Sequence, residues 1–305
     1  MERVRKQIGC ENFNTKEKGH GVTIAVLDTG IAMHPDFSGR ILAFKDFVSG
    51  KNSIYDDSGH GTHVCGIACG SGFASGGRYR GIAPEANLVV GKVLNNKGDG
   101  SVENMLTGLD WIQKNQKIWN IRILNISVGL GGRVDEKKEK NLRNKLEEIW
   151  ADGILVVCAA GNNGPACGSI SHVGESPYLI TVGCHDGNFL KDQGNLCETY
   201  SARGKKDALY RKPDIVAPGT RIISCNSFFK RRGRQIQNAY IEKSGTSMST
   251  PMVSASLALL LCKYPGLSKE QAKYQLLHAA DPLNEPPEKQ GYGMLNVKRV
   301  LTDLV

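Results

Sequence analysis

Short, nearly continuous apolar runs alternate along this chain with longer stretches whose apolar residues recur at helical spacing. The runs are Val22–Leu27, Leu88–Val93, Ile121–Ser127, Ile154–Ala160, Leu179–Gly183 and Ile215–Ala217. Such runs suit strands covered on both faces, because a strand with one wet face alternates polar and apolar residues. Between them, Val102–Lys114 gathers Met105, Leu106, Leu109 and Ile112 on one side, and Asn141–Ala151 gathers Leu142, Leu146 and Ile149. Strand–helix–strand repetition predicts an α/β fold: a doubly wound, mainly parallel sheet with helices on both faces. No Pro/Gly/Ser-rich linker and no internal repeat divides the 305 residues, so a single domain, 1–305, is expected.

Open parallel sheets hold their ligands beyond the carboxyl ends of the strands. Three unusual segments fall there: Asp28-Thr29-Gly30, Ser127-Val128-Gly129 and Gly161-Asn162-Asn163-Gly164. The 36 glycines agree with a site built from tight loops.

Charge and cysteine content limit the classes of function. The net charge is +9, with basic runs at Lys137-Lys138, Lys205-Lys206 and Lys230-Arg231-Arg232, the last followed by Arg234. No aromatic residues interleave with these runs in a nucleic-acid-binding motif, so they read as solvated faces and no nucleic-acid partner is expected. The longest apolar stretch, Leu257–Cys262, is far too short for a bilayer, and no membrane partner is expected. Nine cysteines are scattered through apolar runs without CxxC spacing. They read as buried reduced thiols, and with no apolar leader after Met1 they suggest a cytoplasmic protein, the alternative being the mature part of a secreted one.

Three blocks carry candidate chemistry, and each has a structural reading beside it. Val26-Leu27-Asp28-Thr29-Gly30 places a carboxylate at a strand end, but Asp-Thr-Gly is also an ordinary turn. In Gly59-His60-Gly61-Thr62-His63-Val64-Cys65-Gly66 the histidines stand three apart with no carboxylate between them, which is not a zinc-peptidase pattern. Its glycines suit a tight turn feeding a helix, and a histidine opening such a helix would present its imidazole at the exposed end. In Ser244-Gly245-Thr246-Ser247-Met248-Ser249-Thr250-Pro251, the apolar Met252–Leu261 that follows reads as a buried helix with Pro251 in its first turn. A serine there is either a cap or a nucleophile close to free backbone N–H groups.

Taken in order, these blocks resemble the subtilase family of serine peptidases, intracellular bacterial members most of all in style. The resemblance runs from Gly21-Val22 to Gly291-Tyr292-Gly293-Met294-Leu295-Asn296. It implies a serine endopeptidase acting on proteins or peptides, with Ser247 as nucleophile, His63 as general base and then acid, and Asp28 orienting the imidazole. Ala159-Ala160-Gly161-Asn162 matches the segment whose asparagine donates to the oxyanion.

The same resemblance implies substrate edges at Gly98-Asp99-Gly100 and Ser127-Val128-Gly129, between which an extended peptide adds a strand. A specificity pocket is expected between Ser127–Gly129 and Ala159–Gly161, with Ser171 at its floor. Ser171 and Leu130 stand where relatives often have glycine, and no acid maps clearly to the floor, although Glu175 is near in sequence. These features point to an apolar, medium-sized P1 residue.

No cofactor is required by this chemistry, and calcium is the one metal to consider. The family's tight site uses a carboxylate matching Asp36 and a ligand-bearing loop. Here Gly70–Arg80 contains no Asp, Glu, Asn or Gln, so that site is expected to be empty, with Arg78 or Arg80 taking up the Asp36 charge. Two other readings stay open on sequence. Asp28-Thr29-Gly30 and Asp57-Ser58-Gly59 both fit the aspartic-peptidase pattern, which needs two carboxylates sharing a proton. A silent subtilase could also serve as a peptide-binding or regulatory module.

Overall fold

A computed structural model describes residues 1–11, 17–128, 135–187, 196–233 and 235–302. Seven parallel strands form the central sheet: β1 (Thr23–Asp28), β2 (Ile41–Asp46), β3 (Asn87–Lys92), β4 (Ile121–Ile126), β5 (Leu155–Ala159), β6 (Ile180–Cys184) and β7 (Ile215–Ala217). Their order is β2-β3-β1-β4-β5-β6-β7, so the chain reverses direction of winding beside β1. Two antiparallel pairs complete the strands: β8 (Ile222–Cys225) with β11 (Tyr240–Lys243), and β9 (Lys230–Arg232) with β10 (Gln235–Gln237). The helices are α1 (Glu2–Gln7), α2 (His60–Cys69), α3 (Val102–Asn115), α4 (Glu136–Ala151), α5 (Thr246–Lys263), α6 (Lys269–His278), α7 (Pro287–Gln290) and α8 (Val297–Thr302).

The six apolar runs become β1 and β3–β7, each within a residue or so of its predicted bounds. Every residue of β1, β5, β6 and β7 is buried, as strands covered on both faces require. β2 has no such run. It is the sheet's edge, half-exposed, with the weak pattern an edge strand carries. α5 is buried from Thr246 to Leu261 and packs on β4, β5 and β6, which is why it is apolar all round. α5 begins at Thr246, earlier than predicted, so Pro251 is its sixth residue rather than part of its first turn.

Cys184 and Cys197 are joined in a disulfide with Cα atoms 5.6 Å apart, against the expectation of reduced thiols throughout. The other seven cysteines are free, and most are buried. Among the described residues, no helix is long and apolar enough to cross a membrane.

Candidate active site

β1 ends on Asp28, which is fully buried. Its Oδ1 accepts from the Thr29 N–H (2.7 Å) and faces His60 Nδ1 at 2.7 Å. His60 is the first residue of α2. The helix is entered through Gly59, whose φ of 83° lies in the left-handed region that glycine occupies without strain. Asp56 fixes this entry: its carboxylate accepts from Thr29 Oγ1, the N–H groups of Ser58, Gly59 and Thr62, and the Thr62 hydroxyl. Burial acts to lower the His60 pKa, but the Asp28 charge and hydrogen bond outweigh it, and the net effect is to raise it. About a quarter of the His60 side chain remains open to solvent.

The expectation for His63 does not hold. His63 lies one turn further along α2 and faces the interior, with no exposed surface. Its Nε2 donates to the carbonyls of Ile222 (2.9 Å) and Ile241 (3.1 Å), clamping α2 onto the β8–β11 pair. Burial pushes its pKa down to about 3, so it is a neutral structural imidazole. The helix-opening histidine that sequence logic asks for is His60, because α2 starts one turn earlier than an assignment to His63 assumes.

Ser247 is the second residue of α5, which packs directly on α2. Asn162 is reached from β5 through Gly161, with φ of 103°. Its Oδ1 accepts from the N–H of Thr246 (3.0 Å) and from the Thr246 hydroxyl (3.1 Å), which leaves Nδ2 as the free end of the amide. A Cβ on Gly245 would sit 3.3 Å from Asn162 Nδ2 and 3.8 Å from Ser247 N. Gly245 therefore keeps open a small space bordered by both donors, next to the Ser247 side chain.

The other expected site residues lie at strand ends and in loops. Gly98, Asp99 and Gly100 form an exposed turn in which Asn95 Oδ1 accepts from the N–H groups of Lys97 and Asp99. Ser127 is buried beyond β4 and accepts from Asn125 Nδ2, and Val128 is half-buried. Gly129 and Leu130 lie outside the described residues. Ala159 ends β5, and Ala160, Ile170 and Ala202 make a small apolar cluster beside Gly161. Ser171 is half-buried, and its hydroxyl accepts from the Gly174 N–H. Glu175 is held by Lys205 at 2.5 Å.

Asp28 and Asp57 do not share a proton. Asp28 faces His60, and Asp57 accepts from Lys92 Nζ at 2.7 Å, which sets aside the aspartic-peptidase reading. Lys92 is buried and paired in register with Asp28; its ammonium also donates to the carbonyls of Thr29 and Leu94. The sequence did not name the partners of this clamp: Lys92 stands inside the apolar run Leu88–Val93, but Asp57 and the Thr29 carbonyl come from distant segments.

Asp36 is not taken up by Arg78 or Arg80. Arg78 pairs with Glu2, while the Asp36 carboxylate accepts from the N–H groups of Gly72 and Ala74 and from the Tyr240 hydroxyl. Its other near neighbours are the Cys225 thiol and the His34 ring. Calcium needs several converging oxygens. These residues offer donors, a thiol and an imidazole, so they do not fit that ion.

A family model described as the subtilase family matches residues 19–294. The chain is 41% identical to the serine protease AprX of Bacillus subtilis over 291 residues, covering 92% of this chain and 66% of that protein, just under two thirds of its length. It is 33% identical to subtilisin Savinase of Lederbergia lenta, covering 92% and 90% of the two chains. The solved structure of sphericase superposes with a TM-score of 0.81 at 27% identity, covering 96% and 97%.

Proposed function

Because the chain belongs to the subtilase family of serine endopeptidases, we propose that it cleaves peptide bonds through an acyl-enzyme on Ser247, with His60 as base and Asp28 as its partner. The observation that carries this reading is the 2.7 Å contact between buried Asp28 and the part-exposed imidazole of His60, at the mouth of the helix that packs on α5.

A serine hydroxyl is a poor nucleophile until a base takes its proton. In the proposed reaction His60 accepts the Ser247 proton as Oγ attacks the carbonyl carbon. The carbonyl oxygen, now an anion, enters the space beside Gly245 and receives hydrogen bonds from Asn162 Nδ2 and the Ser247 N–H. His60 then gives its proton to the departing amine, and a water repeats the sequence to release the acid. Asp28 fixes the ring with Nδ1–H toward the carboxylate and stabilises the imidazolium. Losing the side-chain donor of Asn162 is expected to cost roughly 10²–10³ in kcat, a magnitude established in a subtilisin.

A P1 side chain that is apolar and of medium size is the specificity we infer. Ala160, Ile170 and Ala202 supply an apolar wall, and the one acid nearby in sequence, Glu175, is already neutralised by Lys205. The turn at Gly98–Gly100 is exposed and closed on itself by Asn95 and by a bridge from Gly100 to Leu94, and it offers an edge along which an extended substrate would lie.

Labelling by a fluorophosphonate tests the nucleophile. The protein should be modified stoichiometrically and Ser247→Ala not at all; a folded parent that resists labelling would refute the mechanism. Peptides varied at P1 test the pocket, and a strong preference for lysine or arginine would overturn it.

A further inference from the structure

The segment between β8 and β11 carries the β9–β10 hairpin outward from the sheet. Its root is tied by the Asn226 N–H to the Ala239 carbonyl (2.9 Å) and by Asn226 Nδ2 to the Asn238 carbonyl (2.8 Å). Just past the root the segment touches the turn that delivers His60: a Cβ on Gly59 would lie 2.8 Å from Ser227 Oγ and 3.4 Å from the Phe228 ring. Further out, the hairpin walls a cavity of about 770 Å³, lined by Met33, Phe37, Ile54, Phe73, Arg231 and Ile236.

Cations gather around this feature without acids to meet them. Lys230, Arg231 and Arg232 are all exposed, and no ion pair to them is seen among the described residues. Lys243, at the end of β11, pairs in register with Ile222, whose carbonyl accepts from His63 one turn below His60. Two residues later the chain reaches Gly245 and then Ser247. Lys243 also has no ion-pair partner among the described residues, and its charge acts on both His60 and His63. Its neighbour in sequence, Glu242, acts on Arg3.

The direction of the reaction says which part of a substrate meets these charges. His60 gives its proton to the leaving amine, so the segment C-terminal to the scissile bond lies on the His60 side of Ser247. We propose that Lys243 and the β9–β10 hairpin form a subsite for acidic residues in that segment, with an apolar side chain further along resting in the hairpin cavity. The inference rests on the peptidase reading above and adds a substrate class to it: polypeptides with an acidic stretch after the cleaved bond. Charge complementarity selects this occupant, since several unneutralised cations flank an apolar wall. Each partly exposed pair contributes about two- to fivefold, so two such pairs give a preference of about tenfold at low salt.

The test uses peptides with one fixed P1 residue and with glutamate, glutamine or lysine at each of the four positions after the scissile bond. The parent should cleave the glutamate peptides with kcat/KM about tenfold above the glutamine ones, with the preference fading as salt rises. In Lys243→Gln/Arg231→Gln the ratio should fall toward unity. In Lys117→Gln/Lys206→Gln, which removes the same charge from exposed positions elsewhere, it should stay at the parent value. Equal or better cleavage of the glutamine or lysine peptides, or an acidic preference that survives in Lys243→Gln/Arg231→Gln, would overturn the subsite. Binding of the same peptides to Ser247→Ala gives a readout without turnover. If the mechanism were wrong, labelling and cleavage of every peptide would fail together, whereas failure of the subsite alone leaves both intact with a flat peptide profile.

Discussion

Asp28 is fully buried, and two donors meet one of its oxygens, the Thr29 N–H and the His60 ring. That contact makes the two histidines of one short block chemically opposite. His60 has a raised pKa and a path to solvent; His63 is neutral down to about pH 3 and sealed inside. His60→Ala is expected to lose about 10⁶-fold in kcat, the scale known for the base of a subtilisin triad. His63→Gln should keep most of the turnover in whatever fraction folds. The base must be neutral to act, so the acid limb of kcat/KM should have its midpoint above 6.5, the ordinary histidine value. Stability responds with two signs. The His60–Asp28 pair has a raised folded pKa, so its contribution is complete below 6.5 and is lost as pH rises through the folded value. His63 has a lowered one: the unfolded chain takes up its proton below 6.5 and the folded chain does not until about 3. Over that window this costs the fold on the order of 5 kcal/mol. Denaturant midpoints against pH should show the loss in Ser247→Ala, which cannot digest itself, and a much shallower slope once His63→Gln is added.

Two elements meet to build the site, and both are shaped by their first turns. α2 starts on His60 because Gly59 supplies the left-handed turn and Asp56 ties down the N–H groups just beyond it. α5 starts in a dense setting, with Gly245 at a positive φ of 143° that side-chain-bearing residues rarely adopt and Pro251 five residues into the helix. Proline has no N–H, so the Ser247 carbonyl lacks its helical donor. Gly245 is the position where a single methyl group has the clearest consequence. It would fill the space between Asn162 Nδ2 and Ser247 N and strain the backbone as well. Gly245→Ala should therefore lower kcat by at least about 10²-fold, the effect of losing an oxyanion donor. Because the fluorophosphonate oxygen occupies the same space, its labelling rate should drop in parallel. A variant that folds, labels and turns over like the parent would show that the space is not the oxyanion's.

At the scale of the molecule, the seven-stranded sheet brings residues from distant parts of the chain to one edge: Asp28 from β1, Asn162 from beyond β5, Ser247 from α5. The same packing decides the fate of Asp36. Its carboxylate is closed in by backbone N–H groups from the 72–74 turn and by Tyr240, whose hydroxyl is pushed out of its normal titration range. Asp36→Asn should therefore destabilise the fold, since three donors lose a charged acceptor, by about 1–3 kcal/mol. Any difference in melting temperature between calcium and a chelator should be the same in Asp36→Asn as in the parent. If that difference shrank in the variant, Asp36 would be a calcium ligand after all.

Six strands of the central sheet and the buried helix were legible in the sequence alone, because apolar periodicity is a local property, while Asp28, Ser247 and Asn162 were named as candidate site residues by the family resemblance of their motifs. Val22–Leu27 reads as a covered strand, which puts Asp28, the next residue, at its carboxyl end, where parallel sheets hold their ligands. Which histidine meets Asp28 was not local. His60 and His63 differ by a single helical turn, and only the point where α2 begins, together with the carbonyls of Ile222 and Ile241 far along the chain, decides which ring meets Asp28. The donors that close on Asp36, the Lys92 clamp and the nearness of Lys243 to His60 were likewise invisible, since each joins segments brought together only by the completed fold. Short-range pattern determined the elements and the chemistry on offer. Long-range packing, through burial and hydrogen bonds, decided which histidine faces Asp28 and which is sealed inside.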